Sequence, residues 1–165
     1  VSGIELQTSR SYGAKRRPDL QKLLSKEKAI RLRRATVEQM FEHARSVAPE
    51  ECCGLLGGRE DFAESAYPLR NVARNAAVAY EAAPEELFEA QRRMRACGES
   101  LVGIYHSHPR SSDPAPSPTD VRLAFYPSAV YFIIGFDATG DCVLRAFRIS
   151  ESEGRWEHVE FETIV

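Results

Sequence analysis

The 165-residue sequence lacks any long apolar run. Its most hydrophobic stretch, "AVYFIIGF" at 129–136, is far too short to cross a bilayer as a helix. It lacks paired cysteines. Four are present (Cys52, Cys53, Cys97, Cys142), none in a CxxC pair or a spaced framework. That argues against a disulfide scaffold or a cysteine-built zinc site and for small buried hydrophobes in a reducing, cytoplasmic setting. An apolar leader is missing too, so no secretory signal peptide is expected. Internal repeats and low-complexity segments are absent. The chain also lacks a strong charge of either sign, its formal net charge being −2, so neither a membrane surface nor nucleic acid is an expected partner. What remains is an ordinary globular composition, 43% hydrophobic and 28% charged, long enough for one domain with a substantial core.

Charge is nevertheless uneven. Residues 1–35 hold ten Lys/Arg and three Asp/Glu, a balance of +7, which leaves −9 for the rest. No interleaved aromatics accompany the basic residues, so they read as a solvated arm or helix face rather than a nucleic-acid patch. We therefore divide the chain into a basic extension at 1–28, with a short helix at 19–28, and a folded domain at 29–165.

Along that domain, "AIRLRR" alternates as a short strand. Residues 35–50 form the clearest helix. Thr36 and Gln39 have capping-box spacing, Val37, Met40, Phe41, Ala44 and Val47 share one face, and Pro49 stops it. "CGLLGG" at 53–58 reads as a buried strand ending in a glycine turn. Residues 63–73 read as another strand, with Pro68 favouring an edge or a bend. Residues 84–97 form a second helix, with Pro84 in the first turn and Gly98 closing it. Its stripe of Leu87, Ala90, Met94 and Cys97 reads as core packing. "SLVGIYHSH" is a strand ended by Pro109. Ser117 caps a third helix, with Pro118 at its first position and Pro127 beyond its end. "AVYFIIGF", "DCVLRAFRI" and "WEHVEF" complete a mixed sheet with helices on its faces, a single-domain α/β sandwich.

The chemistry concentrates in "HSHPRSSDPAPSPTD" at 106–120. Alternate strand residues project to the same side, so His106 and His108 face together about 7 Å apart along the backbone. The helix start holds Asp120 in its first turn. Two imidazoles and a carboxylate would leave one tetrahedral position open, as a catalytic zinc requires. The same residues also suit a strand end and a capped helix in which Asp120 only complements the dipole. A hydrolytic metal site needs a base, and "PEECCGLLGG" offers Glu50 and Glu51 just before a buried strand.

Taken together, Glu51-x-Cys53-Gly54-Leu55-Leu56-x-Gly58, then a helix, then His106-Ser107-His108-Pro109, then Ser117-x-x-Asp120, resemble the JAMM (MPN-plus) metallopeptidases in their short prokaryotic form, from about Ile30 onward. The resemblance implies one zinc per chain on His106, His108 and Asp120, with water as fourth ligand. It implies Glu51 as general base, Glu50 being the fallback in register, and Ser117 as donor to the developing oxyanion. His43 and His158 match nothing in it. One departure is visible: eight residues separate His108 from Ser117, where the family has seven, which leaves Asp113 as a minor alternative ligand.

The implied fold is cytidine-deaminase-like, but deaminase chemistry fails for want of HxE and PCxxC. The implied activity is that of an isopeptidase or deubiquitinase-like protease, cleaving after the extended C-terminal tail of a ubiquitin-like or sulfur-carrier protein. That tail is expected to lie beside the His106 strand by strand addition. The alternatives are a catalytically silent MPN-type scaffold and a zinc hydrolase of small amides. Oligomeric state is open.

Overall fold

A computed structural model describes residues 29–165. The basic extension at 1–28 and its expected helix lie outside the described residues. The elements, in chain order, are β1 (Ile30–Arg33), α1 (Arg34–Val47), β2 (Cys53–Arg59), β3 (Phe62–Leu69), α2 (Pro84–Ala96), β4 (Ser100–Ser107), α3 (Pro118–Arg122), β5 (Val130–Phe136), β6 (Cys142–Ser150), β7 (Arg155–His158) and β8 (Phe161–Ile164). No helix among the described residues is long and apolar enough to cross a membrane.

All eight strands join one sheet in the order β7-β6-β5-β4-β2-β3-β1-β8. β1 runs parallel to β3 and β8, and β4 parallel to β5; the other pairs are antiparallel. The expected single strand "WEHVEF" is in fact two strands at opposite edges of this sheet. Only Val159 and Glu160 separate them. In a flat sheet those edges would stand about 34 Å apart, whereas so short a link spans about 11 Å. The sheet must therefore curl. Consistently, the Phe161 ring on β8 meets the Phe132 ring on β5 at 5.9 Å across the concave side.

The curl separates two cores. Leu32, Met40, Ala44, Leu56, Tyr105, Phe132 and Ile134 pack on the concave side, so α1 fills the hollow. Leu55, Ala90, Met94, Ile104, Ile133 and Phe147 pack on the convex side, under α2. Strand alternation assigns each residue its face: Ile104 goes to one and Tyr105 to the other, as do Ile133 and Ile134. β5 is an unbroken apolar run because both its faces are covered.

Three local expectations need correction. Thr36 does not cap α1, which begins at Arg34 with no side-chain cap. Thr36 instead donates its hydroxyl to the Glu64 carbonyl at 2.6 Å, pinning the helix to β3. Gly57 and Gly58 lie inside β2, and the turn comes later, with Glu60 at positive φ. A Cβ at Gly58 would collide with the Phe62 carbonyl, so the hairpin itself demands glycine there. Of the four cysteines, Cys52 and Cys53 are buried, but Cys97 is exposed.

The expected strand addition beside His106 is also overturned. β4 is central: Cys53 on β2 and Ile133 on β5 flank His106 on its two sides. The ladder continues past the strand, with Ser107 N–H donating to the Cys52 carbonyl and His108 N–H to the Ile134 carbonyl. No free edge remains there for a peptide.

Candidate metal centre

β4 sends Tyr105 into the concave core and His106 to the opposite face, where it is fully buried. His108 lies one residue past the strand, held in line by its N–H bond to the Ile134 carbonyl at 2.8 Å. The two Nε2 atoms converge to 3.0 Å.

The loop at 109–117 then turns back. Ser111 N–H donates to the His108 carbonyl, and the Ser111 carbonyl accepts from Phe136 N–H at 2.9 Å. A side chain at Gly135 would overlap the Ser111 carbonyl and Pro114, so the glycine lets this loop lie flat on β5. The loop so held brings the start of α3 back over the strand end. Asp113 points outward, its side chain 81% exposed and paired with Arg145 at 3.2 Å. It is not in the cluster.

Ser117 and Asp120 form a reciprocal capping box. Ser117 Oγ accepts from Asp120 N–H at 3.1 Å, and Asp120 Oδ2 accepts from Ser117 N–H at 2.7 Å. This bond fixes the carboxylate so that Oδ1 lies 3.4 Å from His106 Nε2 and Oδ2 lies 3.3 Å from His108 Nε2. Burial alone would raise the Asp120 pKa, but hydrogen bonds from both imidazoles and from Ser117 outweigh it and hold the carboxyl well below its ordinary range. Burial lowers the His106 pKa, which favours the neutral ring that a metal needs. Its Nδ1 is buried with no hydrogen-bond partner among the described residues.

The donor set fits a zinc ion. Tetrahedral bonds of about 2.0–2.1 Å place neighbouring ligand atoms about 3.3 Å apart. The two imidazole nitrogens, 3.0 Å apart, lie near that edge. Asp120 faces them with different oxygens, Oδ1 at 3.4 Å from His106 and Oδ2 at 3.3 Å from His108. With one ligand atom taken from each residue, all three lie within 4.8 Å of one another. Two nitrogens and one oxygen leave a fourth direction for a reacting group.

Glu51 lies just before β2, 6% exposed. Burial and the Asp120 charge push its pKa up, His108 opposes them, and the result is about 7. Glu50 is exposed, whereas Glu51 is buried close enough to His108 and Asp120 to feel their charges. Of the remaining histidines, His158 is exposed. His43 is half-buried and shares a 2.9 Å hydrogen bond with the Tyr105 hydroxyl.

Two further residues border the site that spacing did not single out. The Tyr80 ring stacks on His106, centroids 4.6 Å apart at 27°. Its surroundings include Leu69, Leu87, Leu123 and Tyr126, which with it line an apolar cavity of about 120 Å³. Asn71 hydrogen-bonds the Glu51 carbonyl at 2.9 Å. Both lie in the irregular segment 70–83, where no periodicity marks them; an Asn opening a loop was the one available signal.

Comparison with known proteins places this geometry. The family model described as prokaryotic homologs of the JAB domain matches residues 33–150. The chain belongs to this family. Among similar proteins, a desampylase of Haloferax volcanii is 42% identical over 106 residues, 61% of this chain and 76% of the relative. A probable TtuB-protein conjugate cleaving protease of Thermus thermophilus is 37% identical, over 73% and 76%. A CysO-cysteine peptidase of Mycobacterium tuberculosis is 36% identical, over 72% and 81%. A solved protein from Desulfitobacterium hafniense superposes with a TM-score of 0.70 at 36% identity, over 79% of this chain and 90% of that one. A structure titled as the JAMM metalloprotease-like zinc site in the proteasome and signalosome has a TM-score of 0.52 at 19% identity, over 83% and 99%, and shares the fold.

Proposed function

We propose that this JAB-domain chain is a zinc metallopeptidase that hydrolyses the amide bond after the C-terminal tail of a ubiquitin-like or sulfur-carrier protein. The convergence of His106, His108 and Asp120, one ligand atom from each within 4.8 Å of the others, with Glu51 buried nearby, carries the reading. The relatives support the substrate class: by name they remove or cleave protein conjugates or a carrier–cysteine product. All the ligand and base positions are filled, which speaks against a silent scaffold.

His106, His108 and Asp120 would hold one zinc. Bound there, it would supply Lewis acidity, polarising the scissile carbonyl and easing deprotonation of water. Glu51 takes the proton of the attacking water on its carboxylate as the C–O bond forms. It returns that proton to the amine nitrogen as the C–N bond breaks. Ser117 Oγ accepts from Asp120 N–H, so its own proton is free to donate to the carbonyl oxygen as that atom gains charge. Tyr80 covers one face of the His106 ring and excludes water from it.

Because β4 has no free edge, the substrate tail would cross the end of the sheet between segment 70–83 and the 109–117 loop. We take residues 29–165 as the peptidase domain: β8 lies beyond the matched family region yet pairs with β1. A cytoplasmic setting suits the four free cysteines.

The test is metal analysis of the purified protein together with cleavage of a Gly-Gly-ended ubiquitin-like tail peptide joined by an amide to a fluorophore. About one zinc per chain and chelator-sensitive cleavage are expected. A metal-free protein that still cleaves would refute the reading. Equal cleavage of simple dipeptides would point to a small-amide hydrolase.

A further inference from the structure

We propose that Asn71 is a positioning residue that sets Glu51 and Tyr80 relative to the three metal ligands. The inference rests on the reading of Glu51 as the base.

The Asn71 side chain uses its full hydrogen-bonding capacity. Nδ2 donates to the Glu51 carbonyl and to the Ala79 carbonyl, both at 2.9 Å. Oδ1 accepts from Ala73 N–H at 2.9 Å and from Glu81 N–H at 3.0 Å. The amide orientation follows from these partners: a flipped group would set its NH2 against two N–H groups and its oxygen against two carbonyls. Ala79 and Glu81 are the two neighbours of Tyr80, so the amide grips the backbone on both sides of the ring that stacks on His106. The same segment returns Ala76, whose carbonyl accepts from Glu51 N–H at 2.7 Å. Glu51 is thus held through its carbonyl by Asn71 and through its N–H by the loop that Asn71 closes.

The backbone pairing of this segment is sparse. It includes an isolated bridge at Asn71 and Ala82, bonds from Val72 N–H to the Glu81 carbonyl and from Ala83 N–H to the Arg70 carbonyl, and a turn bond from Val78 N–H to the Asn75 carbonyl. Glu51 itself precedes β2 and has no ladder of its own. One side chain therefore supplies what a sheet supplies elsewhere. A base displaced by about 1 Å loses on the order of 100-fold in rate.

The experiment uses the full zinc-loaded chain and the fluorogenic Gly-Gly tail peptide, comparing Asn71→Ala, Asn71→Asp and Glu51→Gln. Asn71→Ala removes all four bonds. Asn71→Asp keeps the two bonds accepted from Ala73 N–H and Glu81 N–H and loses both donor bonds, to the Glu51 and Ala79 carbonyls. Both are expected to lower kcat by about 10–100-fold, with KM changed less than about threefold and zinc content unchanged. Amide exchange in the metal-free protein is a second readout: the Glu51 N–H should exchange at least about tenfold faster in both variants, while Leu55 N–H, inside β2, keeps its protection.

Wild-type kcat in either variant would overturn the proposal. So would loss of zinc in both, which would make Asn71 a support of the ligands instead of the base. Asn71→Asp serves alone if Asn71→Ala does not fold. Full activity in Glu51→Gln would instead remove the reading of Glu51 as base, a failure distinct from that of Asn71.

Discussion

Replacing Glu51 by Gln should destroy activity and stabilise the metal-free protein, the second effect appearing only at high pH. An ordinary glutamate titrates near 4.5, whereas this one is pushed to about 7, chiefly by burial. Above pH 8 the folded chain must ionise a carboxyl that the unfolded chain ionises more readily. At about 1.4 kcal/mol per pKa unit, that mismatch costs the fold about 3 kcal/mol. With Glu51 only 6% exposed, solvent screening removes little of it. Below pH 4 the carboxyl is neutral in the folded state and largely so in the unfolded state, and the cost vanishes. Gln has nearly the same shape and never ionises. The metal-free Glu51→Gln protein should therefore melt about 10 °C higher than wild type at pH 8 and within about 1 °C of it at pH 4, taking the usual unfolding entropy per residue. In the zinc-loaded protein the gain should shrink, because a nearby cation favours the ionised carboxylate. Cleavage should fall by about 100-fold or more, while zinc stays bound. In the wild-type enzyme loaded with zinc, kcat/KM should decline as pH falls through the pKa of Glu51, which a nearby cation would lower. Thermal melts at the two pH values with and without chelator, zinc analysis and a rate profile decide the matter. A stability gain equal at pH 4 and pH 8 would show that ionisation is not its source, and retained cleavage would show that Glu51 is not the base.

Asp113→Ala should leave zinc content and cleavage unchanged and shift stability by less than about 0.5 kcal/mol, since the residue is exposed and its ion pair lies at the surface; lost zinc on metal analysis would reverse the ligand assignment. Tyr80→Ala should lower kcat and weaken zinc retention in a chelator-competition assay, and Tyr80→Phe should restore both, because stacking on His106 needs only the ring. Ser117→Ala should cost about 1 kcal/mol in chemical denaturation through the lost cap, and cleavage should drop by more than the fraction unfolded explains; a proportional drop would leave Ser117 a cap alone. Residues 29–165 expressed alone should retain zinc and cleavage, and loss of either would assign residues 1–28 a part in the domain.

Much of the site was legible because it rests on local rules. Alternation along β4 put His106 and His108 together, and capping chemistry made Ser117 and Asp120 a unit wherever the helix sat. The choice of Asp120 over Asp113 follows from the same capping geometry, since only Asp120 is anchored to a helix start. The choice of Glu51 over Glu50 comes from resemblance alone; the structure adds that only Glu51 of the two is buried. The errors have a common source. Thr36 carried a capping pattern, yet its hydroxyl found the Glu64 carbonyl on a strand 28 residues away. "WEHVEF" carried one apolar pattern, yet two residues within it carry the chain from one sheet edge to the other.

The sequence by itself determined which chemistry is on offer: the candidate ligand types, their spacing, the base candidate and the helix start that presents Asp120. These depend on neighbours within a few residues, where backbone geometry is nearly universal. Only the tertiary structure decided what surrounds that chemistry. It closed both edges of β4, so no tail can join the strand that carries His106. It laid the 109–117 loop flat on β5, and it brought Asn71 and Tyr80 from an irregular segment onto Glu51 and the buried histidine. Such contacts are set by long-range packing of the curled sheet, and no periodicity along the chain encodes them.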